Sequence, residues 1–516
     1  MLRRSRVAAL GLAAVLACVA APAVARGPLS AEMTAKIRDY VAGALAELKV
    51  PGAAVVIVGP EGIEYEEGFG SARPDGTPAT PQTPFHVASL SKELTSIAVM
   101  QLIQSGDLEL DATVHSYLPW FGAAGSETAR ITIRNLLAHT SGWSESDGLT
   151  NRIDEATDDG ALERNVRRLA GIPPSHPIGQ FEYSDGNYNV LGYLVAVRSG
   201  VSYEQYMAEH VFAPLEMTHT HTSDSAARAD GLAQGYYPFF GIPIPYDVPF
   251  ARSSVPGSFI ATSAEDLGHV LIAHLNDGQY AGNRVLPPGV MAQLRTPLVH
   301  PESWNGYGWG WWSYPLWDAG HLVDAAGGSD YEVPVVVEHV GLQPTYAAGM
   351  LLLPSEGIGV DIVMNLDDQA ATSRFTQIHL GIAQILLGGE PGPLIVREDP
   401  LMQNAKLLLG GAVILMALGI PWARRRIRRW RRDPASAPRG GSGLLGHVVL
   451  PLTVDLGVTA FAWWLILDRS PAKDVALIVR LAPDVGLSLA AVAVLGVGWG
   501  LLRTALTLRV MRAPSA

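Results

Sequence analysis

The chain has 516 residues, 48% of them apolar, with 54 glycines and a formal net charge of −12. Residues 401–516 carry 15 Lys+Arg against 5 Asp+Glu, which leaves −22 on the first 400 and argues against a nucleic-acid partner for that acidic body. The one cysteine, Cys18, lies in the N-terminal apolar run, so disulfides, thiolate metal sites and cysteine nucleophiles are excluded from the folded body.

Taken in order, residues 1–26 read as a secretory signal peptide: Arg3, Arg4 and Arg6, an apolar stretch over 7–20, then Ala23-Val24-Ala25 as a small-x-small cleavage pattern. Helical spacing predicts a helix over 31–48. AAVVIVGP (53–60) and EGIEYEEGFG (61–70) read as two strands around the turn Gly59-Pro60-Glu61-Gly62. A helix is predicted over 89–106. Residues 107–330 mix short helices with Pro- and Gly-rich loops and show no repeat. Strands resume at PVVVEH (334–339), TYAAGMLLLP (345–354) and GIGVDIVMN (357–365), with a second hairpin turn at Pro354-Ser355-Glu356-Gly357. A helix near 371–388 closes a domain spanning 27–390, and 391–404 form a linker.

Strands at both ends of that domain, with helices between, predict an α/β (α+β) fold. An antiparallel sheet built from both termini is flanked by helices and carries a large helical insertion. A cleft between sheet and insertion is the expected ligand site.

Residues 405–516 read as a membrane domain. Three apolar runs, about 405–422, 446–467 and 485–502, approach the ~20 residues that cross a bilayer core. The basic segment RRRIRRWRRD (424–433) reads as a cytoplasmic loop. The loop 468–474 then lies outside, and the last span returns inward to Arg503, Arg509 and Arg512. This topology and the signal peptide both place residues 27–400 on the extracytoplasmic side of the cytoplasmic membrane. Asp455 falls near the middle of the second span, where a carboxyl is costly and therefore a functional candidate.

The stretch FHVASLSKELT (85–95) places Lys92 three residues after Ser89, on the same helical face. A serine hydroxyl needs a base, and a lysine driven toward its neutral amine can serve. A serine at a helix start also lies beside backbone N–H groups that can stabilise an oxyanion. Two further segments carry suitable chemistry: QFEYSDGNYNVLGYLV (180–195), with Tyr183-Ser184-Asp185, and VEHVGLQPTYAAGMLLLP (337–354), with His339-Val340-Gly341.

The order Ser-x-x-Lys, Tyr-Ser-Asp, His-x-Gly resembles the serine β-lactamase and penicillin-binding-protein family, in its class C-like branch. VHSYLPWF (114–121), LLAHTSGW (136–143), APLEMTHTH (213–221), GSFIATSAEDLGHVL (257–271) and YGWGW (307–311) extend the resemblance over roughly residues 32–390. It implies Ser89 as the acylated nucleophile, Lys92 as its proton acceptor and Tyr183 as the proton shuttle to the leaving group. Tyr183 then needs tuning by Lys92 or another cation, since a phenol ordinarily titrates near ~10. Asp185 stands where relatives most often carry Asn, and a carboxylate there would weaken Lys92 as a base and disfavour an acidic substrate. His339 stands where many penicillin-recognising enzymes have a lysine. Gly341 would let substrate approach the strand edge, and the N–H of Leu342 would complete an oxyanion hole with that of Ser89.

His219 and His221 are spaced like metal ligands on a strand, but no carboxylate cluster accompanies them, and neither a metal nor a cofactor is expected. His139 is expected to order a loop beside the cleft, and the aromatic run 309–314 to line the cleft or pack in the core. The functional expectation is a membrane-anchored serine hydrolase cleaving an ester or amide: a D-amino-acid peptide, a peptidoglycan stem or a small ester. The alternative is a non-catalytic module that binds wall fragments and signals through the spans by way of Asp455.

Overall fold

A computed structural model describes residues 28–149, 156–316, 334–469 and 475–512. The predicted signal segment 1–26 and most of the predicted outer loop 468–474 lie outside the described residues.

The first helix, α1 (Ala31–Leu48), begins where the Ser30 side chain accepts the Met33 N–H and ends at Lys49 in a left-handed conformation. It leads into β1 (Gly52–Gly59) and β2 (Gly62–Gly70), the predicted hairpin. At the far end of the domain lie β5 (Val335–Gln343), β6 (Tyr346–Leu353) and β7 (Ile358–Met364). The two groups join because β1 pairs antiparallel with β7, Ala53 opposite Met364 and Val58 opposite Gly359. Two further strands, β3 (Gly306–Gly308) and β4 (Trp311–Pro315), complete a seven-stranded antiparallel sheet in the order β2-β1-β7-β6-β5-β4-β3.

Side chains of β1 alternate between two cores, as the two-residue repeat of a strand requires. Ala53, Val55 and Ile57 face α1 and the C-terminal helix α5 (Ile378–Leu386). Ala54, Val56 and Val58 face α4 (Ala264–Leu275) through Leu267 and Leu271. Helices α2 (Ser91–Ser105) and α3 (Asp185–Ser199) belong to the inserted lobe, whose core gathers Leu94, Ile97, Trp143, Leu191 and Leu194. The expected mixed α/β architecture is therefore present, with helices on both faces of the sheet.

Three local expectations need correction. The stretch 107–330 contributes β3 and β4, whose turn residues Trp309 and Gly310 have φ of 59° and 85°. That is a two-residue hairpin turn whose first position is filled by Trp instead of the usual Asn or Asp. The strand expected at 334–339 continues to Gln343, so His339 lies within β5 and not at its end. The helix expected over 371–388 is divided into Thr372–Phe375 and α5.

Three further helices are long and apolar enough to cross a membrane: α6 (Ala405–Arg432), α7 (Gly440–Asp468) and α8 (Pro483–Met511). The arginines of 424–432 form the last turns of α6 and not a loop. Asp455 of α7 pairs with Arg503 of α8 at 2.8 Å, so the mid-span carboxylate has a partner inside the bundle. A hairpin of the catalytic lobe, Tyr236–Phe239 with Ile242–Pro245, docks on the bundle. There the Tyr237 hydroxyl donates to Asp484 at 2.5 Å and the Phe240 N–H donates to the same carboxylate at 3.0 Å. Lys406 of α6 reaches Asp368 at 3.0 Å and the Pro238 carbonyl at 3.1 Å.

Candidate active site

Ser89 sits in a single 3-10 turn, Ala88–Leu90, ahead of α2. Ala88 has a φ of 46°, a left-handed conformation that costs a β-carbon residue energy and needs outside support. Ser91 supplies part of it: its hydroxyl donates to the Ala88 carbonyl at 2.7 Å and accepts the Ile260 N–H at 3.1 Å. The turn is thus clamped to the segment 257–262, and Ser89 is left partly exposed to the cleft.

One turn later, Lys92 is fully buried. Its Nζ donates to Ser89 Oγ at 2.9 Å, to Asp185 Oδ1 at 2.7 Å and to the Gly257 carbonyl at 2.8 Å. The Tyr183 hydroxyl donates to Ser89 Oγ at 3.0 Å. Ser89 Oγ therefore receives two hydrogen bonds, one from an amine and one from a phenol. The predicted trio of residues 89, 92 and 183 meets at one oxygen.

Burial, followed by the Asp185 charge, pushes the Tyr183 phenol well above its ordinary range. The expectation that Lys92 tunes it downward is overturned: Tyr183 stays protonated and is suited to donate. Asp185 begins α3, and its carboxylate is almost buried against the ammonium. Such a neighbour favours the charged lysine over the free amine.

His139 supports Tyr183 from below, ring centroids 4.2 Å apart. It is fully buried, with a φ of 53°. Burial, with Lys92 nearby, drives its pKa well below the ordinary histidine value, so the ring is neutral. Its Nδ1 accepts the Ser184 N–H at 3.1 Å, which puts the proton on Nε2, facing the Tyr307 hydroxyl at 3.1 Å. The Glu182 N–H also donates to the His139 carbonyl at 2.8 Å. This histidine thus fixes the backbone on both sides of Tyr183.

His339 is buried beside Tyr183 and Tyr307 and lines the cleft. Burial, then the Lys92 charge, pushes its pKa down to about 3. It is neutral at physiological pH and does not replace the lysine cation of penicillin-recognising relatives. A β-carbon at Gly341 would lie 1.9 Å from the Val87 carbonyl oxygen and 3.3 Å from the Ser89 nitrogen. A close approach to the Ser89 turn by itself requires glycine there.

Leu342 is placed by register. Pro344 and Thr345 form a two-residue turn, so Gln343 and Tyr346 are a mutually hydrogen-bonded pair. Alternation then directs the Leu342 N–H to the opposite edge of β5. Pairing with β4 on that edge stops at Glu338, so the Leu342 N–H is open to the Ser89 turn packed against it.

Several residues of the site were not singled out by sequence. The Gly257 carbonyl binds Lys92 through its backbone, which leaves no signature in side-chain chemistry. Glu145 flanks the cleft as well, alongside Trp312 of the aromatic run 309–314, for which the cleft was one of two expected positions. His219 and His221 lie elsewhere and share the Asp230 carboxylate at 3.0 and 2.7 Å. Among the described residues no group of His, Cys, Asp or Glu is arranged to hold a metal.

The sheet, the inserted helical lobe and the Ser-x-x-Lys turn between them define a penicillin-recognising-type serine acyl-transfer fold. The β-lactamase family model matches residues 37–382, and the chain belongs to that family. It is similar to Protein flp of Staphylococcus aureus strain MW2, 28% identical over 327 residues, covering 62% of this chain and 60% of that one. The chain thus spans about 60% of the length of the flp proteins it matches. It is 31% identical over 313 residues to penicillin-binding protein 4 of Amycolatopsis lactamdurans, covering 57% of this chain and 80% of that one. The octameric penicillin-binding protein homologue of Pyrococcus abyssi shares the fold, with a TM-score of 0.57 at 22% identity over 73% of this chain and 81% of that one.

Proposed function

We propose that the protein is a membrane-anchored serine hydrolase that cleaves an ester or amide on the extracytoplasmic side. The observation that carries this reading is the convergence of Lys92 Nζ and Tyr183 Oη on Ser89 Oγ at 2.9 and 3.0 Å. When Lys92 is a free amine, Ser89 Oγ attacks the carbonyl carbon and its proton passes to Nζ. The oxyanion meets the N–H groups of Ser89 and Leu342. The bond to the leaving group breaks as Tyr183 Oη protonates the departing group, and the proton that Lys92 Nζ took from Ser89 passes on to Tyr183. Water then attacks the acyl-enzyme and releases the acid, restoring Ser89.

A peptidoglycan stem, a D-amino-acid peptide and a small ester all contain a suitable carbonyl. A neutral His339 offers no charge to a substrate carboxylate, which favours an ester or amide without one over a penicillin or a peptide cleaved beside its C-terminal carboxylate. The extracytoplasmic orientation is supported by geometry. The catalytic lobe docks near Lys406 and Asp484, at the bundle end opposite the arginines of 424–432.

The binding-and-signalling reading draws on one feature, the shared cavity: bundle residues Ala405 and Val485 line the same space as Ser89. Treating the full chain with a fluorophosphonate or fluorescent penicillin separates the two. Hydrolase action predicts covalent labelling that Ser89→Ala abolishes. A sensor predicts tight retention of wall fragments with no serine-dependent label.

A further inference from the structure

The cleft above Ser89 does not end in the catalytic lobe. It forms a cavity of about 400 Å³ that runs from Ser89, Tyr183 and His339 to the membrane bundle. Its far wall is built from Met402, Ala405, Ile466, Ile478, Leu481 and Val485. Met402 belongs to the short helix Pro400–Gln403, Ile478 and Leu481 to the short helix Val475–Leu481, and Ala405, Ile466 and Val485 to the adjoining ends of α6, α7 and α8. Ile466, Ile478 and Val485 are part of the bundle's own apolar core. Acyl transfer needs none of these side chains.

The docking hairpin marks the depth. Phe240 and Ile242 at its tip are 43% and 65% exposed, and Phe240 lies against Gly410 within α6. An exposed apolar tip beside a membrane-spanning helix belongs at a lipid surface. The reactive serine thus looks along an apolar passage toward the bilayer.

We infer that the substrate is a membrane-resident amphiphile: its ester or amide carbonyl is seated at Ser89 while its hydrocarbon chain lies against Ile466, Ile478, Leu481 and Val485. This rests on the serine hydrolase reading and specifies the substrate class for the same site. The covalent step is unchanged, with acyl transfer to Ser89 Oγ, proton return to the leaving group and hydrolysis by water.

Two measurements on the full chain in nanodiscs test it. The first compares p-nitrophenyl acetate with p-nitrophenyl octanoate, and hexyl acetate with ethyl acetate, so that the chain is tried on each side of the carbonyl. The longer partner of one pair is expected to show a kcat/KM about tenfold higher or more, from burial of its methylenes. Leu481→Glu and Ile478→Glu are expected to lower that ratio about tenfold. Equal rates within both pairs, or a ratio unmoved by either variant, overturn the inference.

The second uses a dodecyl fluorophosphonate with a diazirine at the chain end, followed by peptide mass spectrometry. Photocrosslinks to 402–409 or 466–485 support the passage; crosslinks confined to the catalytic lobe overturn it, whatever the variants do. Ethyl fluorophosphonate is the control for the underlying reading. If it labels Ser89 while the long probe never reaches the bundle, only the amphiphile inference fails. If neither probe labels Ser89, the hydrolase reading fails and the inference with it.

Discussion

Two lysines stand at the cavity, Lys92 buried behind Ser89 and Lys406 in the lining itself, each paired with aspartate, and they do different work. Lys92 is fully buried, 2.7 Å from Asp185, with the nucleophile as its next neighbour. Lys406 keeps 13% of its side chain exposed and lies 3.0 Å from Asp368 and 3.7 Å from Asp484. In the proposed mechanism the first pair sits where loss or gain of one proton decides whether Ser89 can attack. The second ties the catalytic lobe to the bundle and touches no reacting atom. Residue types are the same in both places, so the contrast comes from burial and from what stands beside the amine. Asp484 is itself fully buried, but it also accepts the Tyr237 hydroxyl and the Phe240 N–H, so loss of its lysine leaves it hydrogen-bonded.

The sharpest way to break the contrast is to remove one member of each pair. Lys92→Ala takes the ammonium from a nearly buried Asp185 carboxylate, which costs about 3–5 kcal/mol of stability and removes the base. Thermal unfolding of the full chain in detergent should show a large fall in midpoint together with loss of turnover. Lys406→Ala should lower the midpoint less and preserve labelling of Ser89. If the two variants lost equal stability, burial would not be what separates the pairs.

Next in size is Tyr183→Phe. Removing the donor 3.0 Å from Ser89 Oγ should slow acyl transfer about 10²–10⁴-fold while leaving the fold intact, read as kcat at constant circular dichroism.

Asp185→Asn sharpens the comparison by keeping shape and removing charge. Without the carboxylate, neutral Lys92 becomes easier to form, so the acid limb of kcat/KM should move down by about one to two pH units. An acid limb that stayed in place would mean that Lys92 is not the titrating base.

A smaller effect concerns acid stability. His139 and His339 are held neutral in the fold, the latter with its pKa pushed down to about 3. In the unfolded chain each takes up a proton below about 6.5, whereas the folded chain does not. Their contribution is fully present above pH about 6.5 and is lost as pH falls toward 3, by up to about 1.4 kcal/mol per pH unit for each ring. Unfolding midpoints measured across that range should fall with acid, and less steeply in His339→Gln.

The same contrast explains what could be read from sequence. The Ser89 turn is largely local: Ser89, in the 3-10 turn, and Lys92, in the first turn of α2, are three residues apart, so their meeting needs little tertiary information beyond the clamp to Ile260. The strands β1, β6 and β7 were legible because each is a dense apolar run bounded by turn residues, and β2 because it follows β1 across the turn Gly59-Pro60-Glu61-Gly62. The strands β3 and β4 were not, because Trp309 occupies the left-handed turn position and hides the hairpin signature. Gly341 had a visible motif, but its purpose was hidden, since the clash it avoids is with Val87, 254 positions earlier in the chain. The charge state of His339 depends on burial among Tyr183, Tyr307 and Lys92, which no spacing encodes. Least legible of all was the contact between Tyr237 and Asp484, 247 residues apart, which brings the bundle to the cleft.

The central claim is that Ser89 is the nucleophile, and a burst experiment addresses it directly. The full chain is mixed with p-nitrophenyl acetate, quenched in acid within the first turnover, digested and mapped by mass spectrometry. The account predicts a stoichiometric burst of p-nitrophenol and one acetyl adduct, on the peptide containing Ser89, both absent in Ser89→Ala. An adduct at a different residue, or turnover that persists in Ser89→Ala, would contradict it.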